Sequence, residues 1–423
     1  MRHVIIGNGA AGRAAALAIR EREPAAEVII LSAEPEPAYY RPLITNLIDE
    51  ALGTDLFFPV GTAGPPETEV RLGTQVTGLE AEAKQLTLQD GRAFSFDRLL
   101  LATGAAAVVP DIPGWPGPGT FVLRTLADAR TLARAARQTK RAVVIGAGRV
   151  GLKAGLALRQ GGLAVTLVEQ GPHVAPMQFD AVAGEILGQA LEAAGIGICL
   201  GQSVAGVERD GARVHGVTLE NGRFLEAEVI VAAVGVRPNV ELARKAGLSV
   251  NQGIVVDKNL RTSAPEIYAA GDAAETTDLV TGHPLVSGLW TNAVEMGRLA
   301  GGNMAGAALE YPGAWAVLNA LEVAGIPTVA IGLTNPVNGG VYEVCQTRQG
   351  NTYRKLVCQR GVLVGALLLG DIDGAGVYAG LIKGKVKINN ISEILQHPRR
   401  SLASRLSGNM PRRKGIGGMS ILS

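Results

Sequence analysis

The sequence predicts an α/β fold in which one strand–turn–helix unit occurs twice, followed by a smaller α+β domain. Three observations lead there. A β-rich run, a Gly-x-Gly-x-x-Gly turn and an alanine-rich stretch occur in that order at His3–Gly12 (HVIIGNGAAG) and again at Ala142–Gly151 (AVVIGAGRVG), 139 positions apart. Short β-rich runs alternate with helical stretches through most of the chain, the pattern of strand–helix–strand units around parallel sheets. Glycine accounts for 56 of 423 residues, nearly twice the ordinary ~7%, with no collagen-like period, so the excess belongs in tight backbone turns.

Length and composition bound the possibilities. At roughly 150 residues per domain the chain implies about three domains. A hydrophobic fraction of 47% against 18% charged residues excludes disorder. A net charge of +2 offers no bulk attraction for nucleic acid. Three cysteines (Cys199, Cys345, Cys358) without a Cys-x-x-Cys pair exclude a disulfide scaffold, a self-contained iron–sulfur site and a redox dithiol. They read as ordinary buried thiols. The five histidines lack metal-ligand spacing, so no metal site is expected. The N-terminus enters a strand directly, and Arg13, Arg20, Glu21 and Arg22 interrupt the apolar stretch after it, unlike a signal peptide. No apolar run approaches the roughly 18 residues of a membrane span. The expectation is a cytoplasmic enzyme.

Along the chain, the first unit continues into a helix and the strand Val28–Leu31. A β-rich region (Val70–Leu101) comes next, then a Pro/Gly-rich stretch, Pro110–Gly119, that reads as a domain crossing. The second unit continues to the strand Val165–Val168, more β-rich sequence (Val204–Val234) and Gly235-Val236-Arg237-Pro238-Asn239. Thr262–Ala274 (TSAPEIYAAGDAA) is a strand ending at Gly271-Asp272, and strands at Gly340–Val344, Tyr353–Gln359 and Gly361–Leu369 come after it. The division implied is residues 1–112 and 235–304 as two parts of the first domain, 113–234 as the second, 305–390 as the α+β domain and 391–423 as a basic tail. From Lys383 onward nine Lys/Arg stand against one acid, Glu393.

In Gly7-x-Gly9-x-x-Gly12 the chain turns sharply from strand to helix and must let a pyrophosphate come close. Glycine removes the obstructing Cβ, and the helix N-terminus, with Ala10 and Ala11, presents free N–H groups. This is a Rossmann-like dinucleotide site. Ser32 ends the second strand. Glu34, two residues on, either holds ribose hydroxyls or is a solvated loop carboxylate. The second copy, Gly146-x-Gly148-x-x-Gly151 with Arg149 and Val150 between, is followed 18 residues later by Glu169. A carboxylate there accepts from an adenosine ribose and repels a 2′-phosphate, which favours NADH over NADPH. Two dinucleotide sites in one chain imply two cofactors that react together, most simply a flavin and a nicotinamide, which need little acid–base machinery from the protein.

The chain resembles the two-dinucleotide flavoproteins of the pyridine nucleotide–disulfide oxidoreductase family. The resemblance rests on Gly7–Gly12, Ala102-Thr103-Gly104, Gly146–Gly151, Gly235–Pro238 and Ile267–Asp272, all in family order. It implies that the first turn binds FAD and the second NAD, and that Gly271-Asp272 contact the flavin ribityl and pyrophosphate. Asp272 could also cap the following helix, and the two roles are compatible. Tyr39-Tyr40-Arg41-Pro42-Leu43 resembles the loop along the flavin in rubredoxin- and nitrite-reductase-like members, where Arg41 would be a cation near the cofactor; a surface arginine is the competing reading. Leu289–Ala293, with Trp290 and Ala293, resembles the stretch at the isoalloxazine edge; a core tryptophan is the competing reading.

Two departures from the family shape the functional expectation. Members that work through a cysteine carry it near the flavin, whereas Glu36–Ile48 has none. Lys153, in the first helical turn after Gly151, stands where many relatives have Glu; it is either an ammonium favouring negative charge on reduced flavin or an exposed helix lysine. The sequence thus resembles NADH-dependent reductases of rubredoxin type and the flavin subunits of nitrite reductases and aldehyde or phenylglyoxylate oxidoreductases. The expected function is hydride exchange between NAD(H) and FAD and single-electron exchange with an iron–sulfur protein or subunit. Alternatives are a free-standing NADH oxidase or quinone reductase, and a redox-gated interaction flavoprotein. The third domain and basic tail are candidate docking surfaces, with a solubilising extension as the other reading of the tail, and a homo-oligomer is a further expectation from the family.

Overall fold

The computed structural model describes residues 1–48, 65–336, 341–388 and 390–396. Its first sheet has five parallel strands in the order Ile267–Ala269, Arg98–Leu101, Arg2–Ile6, Glu27–Leu31, Glu69–Arg71. The central strands are near-continuous Val/Ile/Leu runs because both faces are covered, and Val4, Ile5, Ile30 and Leu100 are fully buried. The helix Ala10–Arg22 covers one face and lies against the helix Trp290–Met304. Their backbones meet at Gly297 and Gly301, where a Cβ would fall 2.1 and 2.3 Å from the carbonyl oxygens of Ala11 and Ala15. Strands from both ends of the first 300 residues therefore build one layer.

The second parallel sheet runs Ile196–Leu200, Ala164–Glu169, Arg141–Ile145, Val229–Ala232, Thr120–Val122. Each unit carries a three-stranded antiparallel sheet as well, Val76–Glu80 to Ala93–Ser95 in the first and Val204–Asp210 to Phe224–Glu226 in the second. The chain passes between units on an antiparallel ribbon, Ala105–Ala107 with Val236–Pro238. Pro110–Gly119 is not itself that ribbon. It packs along Val204–Asp210: a Cβ on Gly114 would come 2.3 Å from the Val207 carbonyl oxygen, and Arg209 holds the carbonyls of Gly114 (2.9 Å) and Pro118 (2.8 Å).

The C-terminal domain is a five-stranded antiparallel sheet, Leu318–Val323, Ile326–Gly332, Val362–Leu369, Thr352–Gln359, Tyr342–Gln349, with helices Ala375–Lys383 and Ile391–Gln396. The sequence reading missed its first hairpin, whose tight turn is Ala324-Gly325, both at positive φ (48° and 81°). Gly340, the expected start of one strand, lies outside the described residues. Among the described residues no helix is long and apolar enough to cross a membrane.

Candidate functional site

The two glycine turns share one steric logic. Gly7 has φ 115° and a Cβ there would meet the Ala102 carbonyl oxygen at 2.1 Å; a Cβ on Gly12 would meet the Gly7 oxygen at 1.9 Å. Gly146 has φ 93° with the Ala233 oxygen 2.7 Å from its would-be Cβ, and Gly151 repeats the 1.9 Å clash with Gly146. The protein itself therefore demands the first and third glycines. Nothing in the chain lies within 4 Å of a Cβ on Gly9 or Gly148. These middle glycines are the N-caps of helices Ala10–Arg22 and Arg149–Gln160, and neither helix has a side-chain cap. Free N–H groups beside open space fit a pyrophosphate at each turn. Asn8 also has a buried side-chain oxygen without a partner.

Around the first turn the candidate residues form one polar chain. Ser32 is buried and donates to the Glu34 carbonyl (3.2 Å). The Glu34 carboxylate accepts from Tyr39 (2.6 Å) and from Arg41 (2.7 Å), and its side chain in this loop stays 34% exposed. Arg41, followed by Pro42 in a short 3-10 helix (Arg41–Leu47), also donates to the Arg124 carbonyl (2.6 Å). Burial lowers the basicity of Arg41, but Tyr39, Glu34 and Asp272 outweigh it and the net shift is upward. Arg124 joins the motifs together: its guanidinium donates to Asp272 (2.7 Å) and to the Ala105 carbonyl (2.9 Å). Asp272 thus pairs with an arginine and supplies no helix cap. Thr103 and Asn239 exchange hydrogen bonds (2.7 and 2.8 Å), tying Ala102-Thr103-Gly104 to the segment after Gly235. Ala11 and Ala293 back Gly271: a Cβ there would fall 3.1 and 3.5 Å from their Cβ atoms.

Sequence reasoning missed Arg124. The signal available was an arginine directly before a helix N-terminus, where Thr125 and Asp128 form a reciprocal capping box (3.1 and 2.8 Å). Trp290 is not a core residue: it is half-exposed at the start of its helix, its ring 5.5 Å from that of Tyr40. Cys345 likewise departs from the buried-thiol reading, being half-exposed and 3.4 Å from the Ser392 hydroxyl, because it sits on an edge strand.

At the second turn Glu169 is buried and each of its carboxylate oxygens accepts from backbone, from Ala147 N (2.8 Å) and Gly171 N (2.8 Å). Val150, at the start of the helix Arg149–Gln160, is exposed. Arg149 donates to Asn319 of the C-terminal sheet. Burial lowers its basicity and Asp272 partly restores it. Lys153 is the fifth residue of its helix, so it opens the second turn and not the first. It is half-buried rather than exposed and lines a cleft with Thr45, Asn46, Gln160 and Glu322. Burial lowers its basicity, and the charge of Arg149 lowers it further. Among the described residues no group of His, Cys, Asp and Glu is placed to hold a metal.

Two glycine-turn seats joined by a crossing ribbon, with charged side chains gathered where the seats meet, define an oxidoreductase that works through two dinucleotides. Residues 1–297 match the family described as pyridine nucleotide-disulphide oxidoreductase, and the chain belongs to it. It is an FAD-dependent NAD(P)H oxidoreductase. Residues 318–386 match the rubredoxin NAD+ reductase C-terminal domain. The chain is 34% identical to an NADH oxidase of Methanocaldococcus jannaschii, over 74% of this chain and 71% of that one. It is 35% identical to the epsilon subunit of NADH-dependent phenylglyoxylate dehydrogenase of Aromatoleum evansii, over 72% of each. A ferredoxin reductase structure from Rhodopseudomonas palustris superposes with a TM-score of 0.84 at 26% identity, covering 94% of this chain and 99% of that one. Against the longer nitrite reductase of Bacillus subtilis the chain spans about half the length, 48%.

Proposed function

We propose that the first turn holds FAD and the second NADH, and that electrons leave singly to an iron–sulfur protein or subunit. One observation carries the last step. All three cysteines lie outside the first unit, Cys199 in the second sheet and Cys345 and Cys358 in the C-terminal sheet, so no thiol relay stands beside the flavin seat. The match of the C-terminal residues to a rubredoxin reductase domain supports the same acceptor class. A multi-subunit complex, as the phenylglyoxylate relative's name describes for that protein, is the finer form of this reading.

When bound, the two cofactors would supply the redox chemistry, two-electron transfer between nicotinamide and flavin and one-electron release from the flavin. The protein's part is binding and electrostatics. Arg124 fixes Asp272 and the Ala105 carbonyl at the flavin seat, and Arg41 is held by Glu34 beside it. Glu169 sets the shape of the second turn and rejects a 2′-phosphate. The ammonium of Lys153, without an ion-pair partner among the described residues, favours added negative charge nearby. In Lys153→Gln the flavin midpoint potential should fall by about 30 mV, equivalent to ~1.4 kcal/mol for a two-electron couple. Spectroelectrochemical titration showing no change would make Lys153 a bystander.

The function is tested by anaerobic mixing. NADH should bleach the flavin at least tenfold more efficiently than NADPH, and the reduced protein should be reoxidised faster by a rubredoxin or ferredoxin than by air. Rapid oxygen consumption by the isolated chain would favour a free-standing oxidase, the reading that the NADH oxidase relative supports. Slow turnover with NADH-dependent oligomerisation would favour a redox-gated interaction protein.

A further inference from the structure

We propose that Asp180 is a positioning residue for the second dinucleotide turn, clamped in place by Tyr353 and Lys355 of the C-terminal sheet. The inference rests on the reading of that turn as the nicotinamide-dinucleotide seat. Between Glu169 and the helix Ala181–Ala193 runs the loop 170–180, and its inner side is bonded to the turn itself. Ala175 N donates to the Ala147 carbonyl (3.0 Å), while Ala147 N donates to Glu169. Both backbone groups of the residue between Gly146 and Gly148 are therefore held by this loop and the strand end before it.

The outer side of the loop is held by the C-terminal domain. Thr334 donates to the Gln178 carbonyl (2.9 Å), and Asn335 to those of Phe179 (2.8 Å) and Pro176 (3.3 Å). One carboxylate oxygen of Asp180 accepts from the Tyr353 hydroxyl (2.7 Å) and from Lys355 Nζ (2.9 Å), and the other caps the helix Ala181–Ala193 through Ala183 N (3.0 Å). The Gln346 amide lies 2.8 Å from the same hydroxyl. The side chains of Lys355 and Asp180 are only 9% and 14% exposed, so breaking the pair leaves a poorly solvated carboxylate.

Backbone strain in the loop gives a second, independent reason for a clamp. Ala175 is fully buried at φ 47°, a left-handed conformation that a non-glycine residue keeps only when its surroundings enforce it. Its carbonyl accepts from Gln178 and Phe179 (3.0 Å each), the same two residues whose own carbonyls Thr334 and Asn335, just after the strand Ile326–Gly332, grip. Loosening the outer grip thus frees the strained residue that fixes Ala147. Burial pushes the Asp180 carboxyl upward, but Lys355, Ala183 N and Tyr353 outweigh it and the net shift is downward. The clamp is then fully present above the unfolded carboxylate pKa of about 3.9 and is lost as pH falls through the depressed folded value.

The test measures NAD+ binding to oxidised holoenzyme by equilibrium titration, beside FAD content and KM and kcat for NADH. Lys355→Met, Tyr353→Phe and Asn335→Ala should each raise the Kd for NAD+ and the KM at least fivefold, with FAD content and kcat within twofold of wild type. Lys355→Arg should restore most of the affinity. Arg354→Ala, which removes a pair with Asp371 on the other face of the same strand, should leave Kd unchanged. If Lys355→Met does not fold, Tyr353→Phe and Asn335→Ala decide. Wild type that binds NAD+ while the folded variants bind equally well overturns the positioning role alone. Wild type that retains FAD but binds no NAD+ overturns the dinucleotide reading, and this inference with it.

Discussion

Gly12→Ala should yield protein that loses most of its flavin, while Gly151→Ala should yield a yellow protein that NADH bleaches only at far higher concentration. The two substitutions are sterically equivalent, since each places a methyl 1.9 Å from the carbonyl oxygen of the first glycine of its own turn. That contact is far inside van der Waals range and involves backbone on both sides, so the strand–helix junction must open. Sites of this type tolerate displacements of only about 0.5 Å. FAD content should drop below about a tenth of wild type in the first variant. In the second, NADH affinity should fall on the order of 100-fold, about 2.7 kcal/mol. Gly148→Ala separates ligand approach from folding: its methyl meets nothing in the chain, so the melting temperature should hold while NADH binding weakens. Flavin lost from Gly151→Ala and kept by Gly12→Ala would reverse the assignment of the two seats.

Arg124→Met should be the most damaging single change outside the glycine turns. The guanidinium spans Asp272 and the Ala105 carbonyl, and the ion pair is only 19% and 15% exposed. The backbone of the same residue accepts from Arg41 and donates to Asp128 (3.0 Å). Removing one partner of such a pair leaves an uncompensated, poorly hydrated charge, at a cost of about 3 kcal/mol. FAD retention measured by ultrafiltration should fall roughly 100-fold, with a lower melting temperature. Arg124→Lys should not rescue it, because one ammonium on a flexible stem does not reproduce two directed bonds. A yellow, equally stable Arg124→Met protein would show that Asp272 is held by other means.

The turns, the ends of the strands before them and the acid after the second turn were legible in the chain because each is a short-range requirement. A strand, a glycine turn and a helix start fall within ten residues, and Gly12 and Gly151 answer to the carbonyls of Gly7 and Gly146 in their own turns, whereas Gly7 and Gly146 answer to Ala102 and Ala233 far along the chain. The alternation of Val/Ile runs with alanine-rich stretches likewise reports local burial. The hairpin Leu318–Gly332 was harder, since its Ala324-Gly325 turn lacks the usual Asn-Gly signature. Lys153 was placed one turn too early because helix starts are poorly marked when the N-cap is glycine.

By itself, the sequence determined the α/β class, the duplicated dinucleotide seat, the family and the absence of a cysteine from Glu36–Ile48. Only the tertiary structure decided which charges meet. Arg124 finds Asp272 across 148 positions and Lys355 finds Asp180 across 175. Neither pair leaves a periodic or spacing signal, because a buried ion pair is selected by the three-dimensional site it occupies and not by its neighbours along the chain.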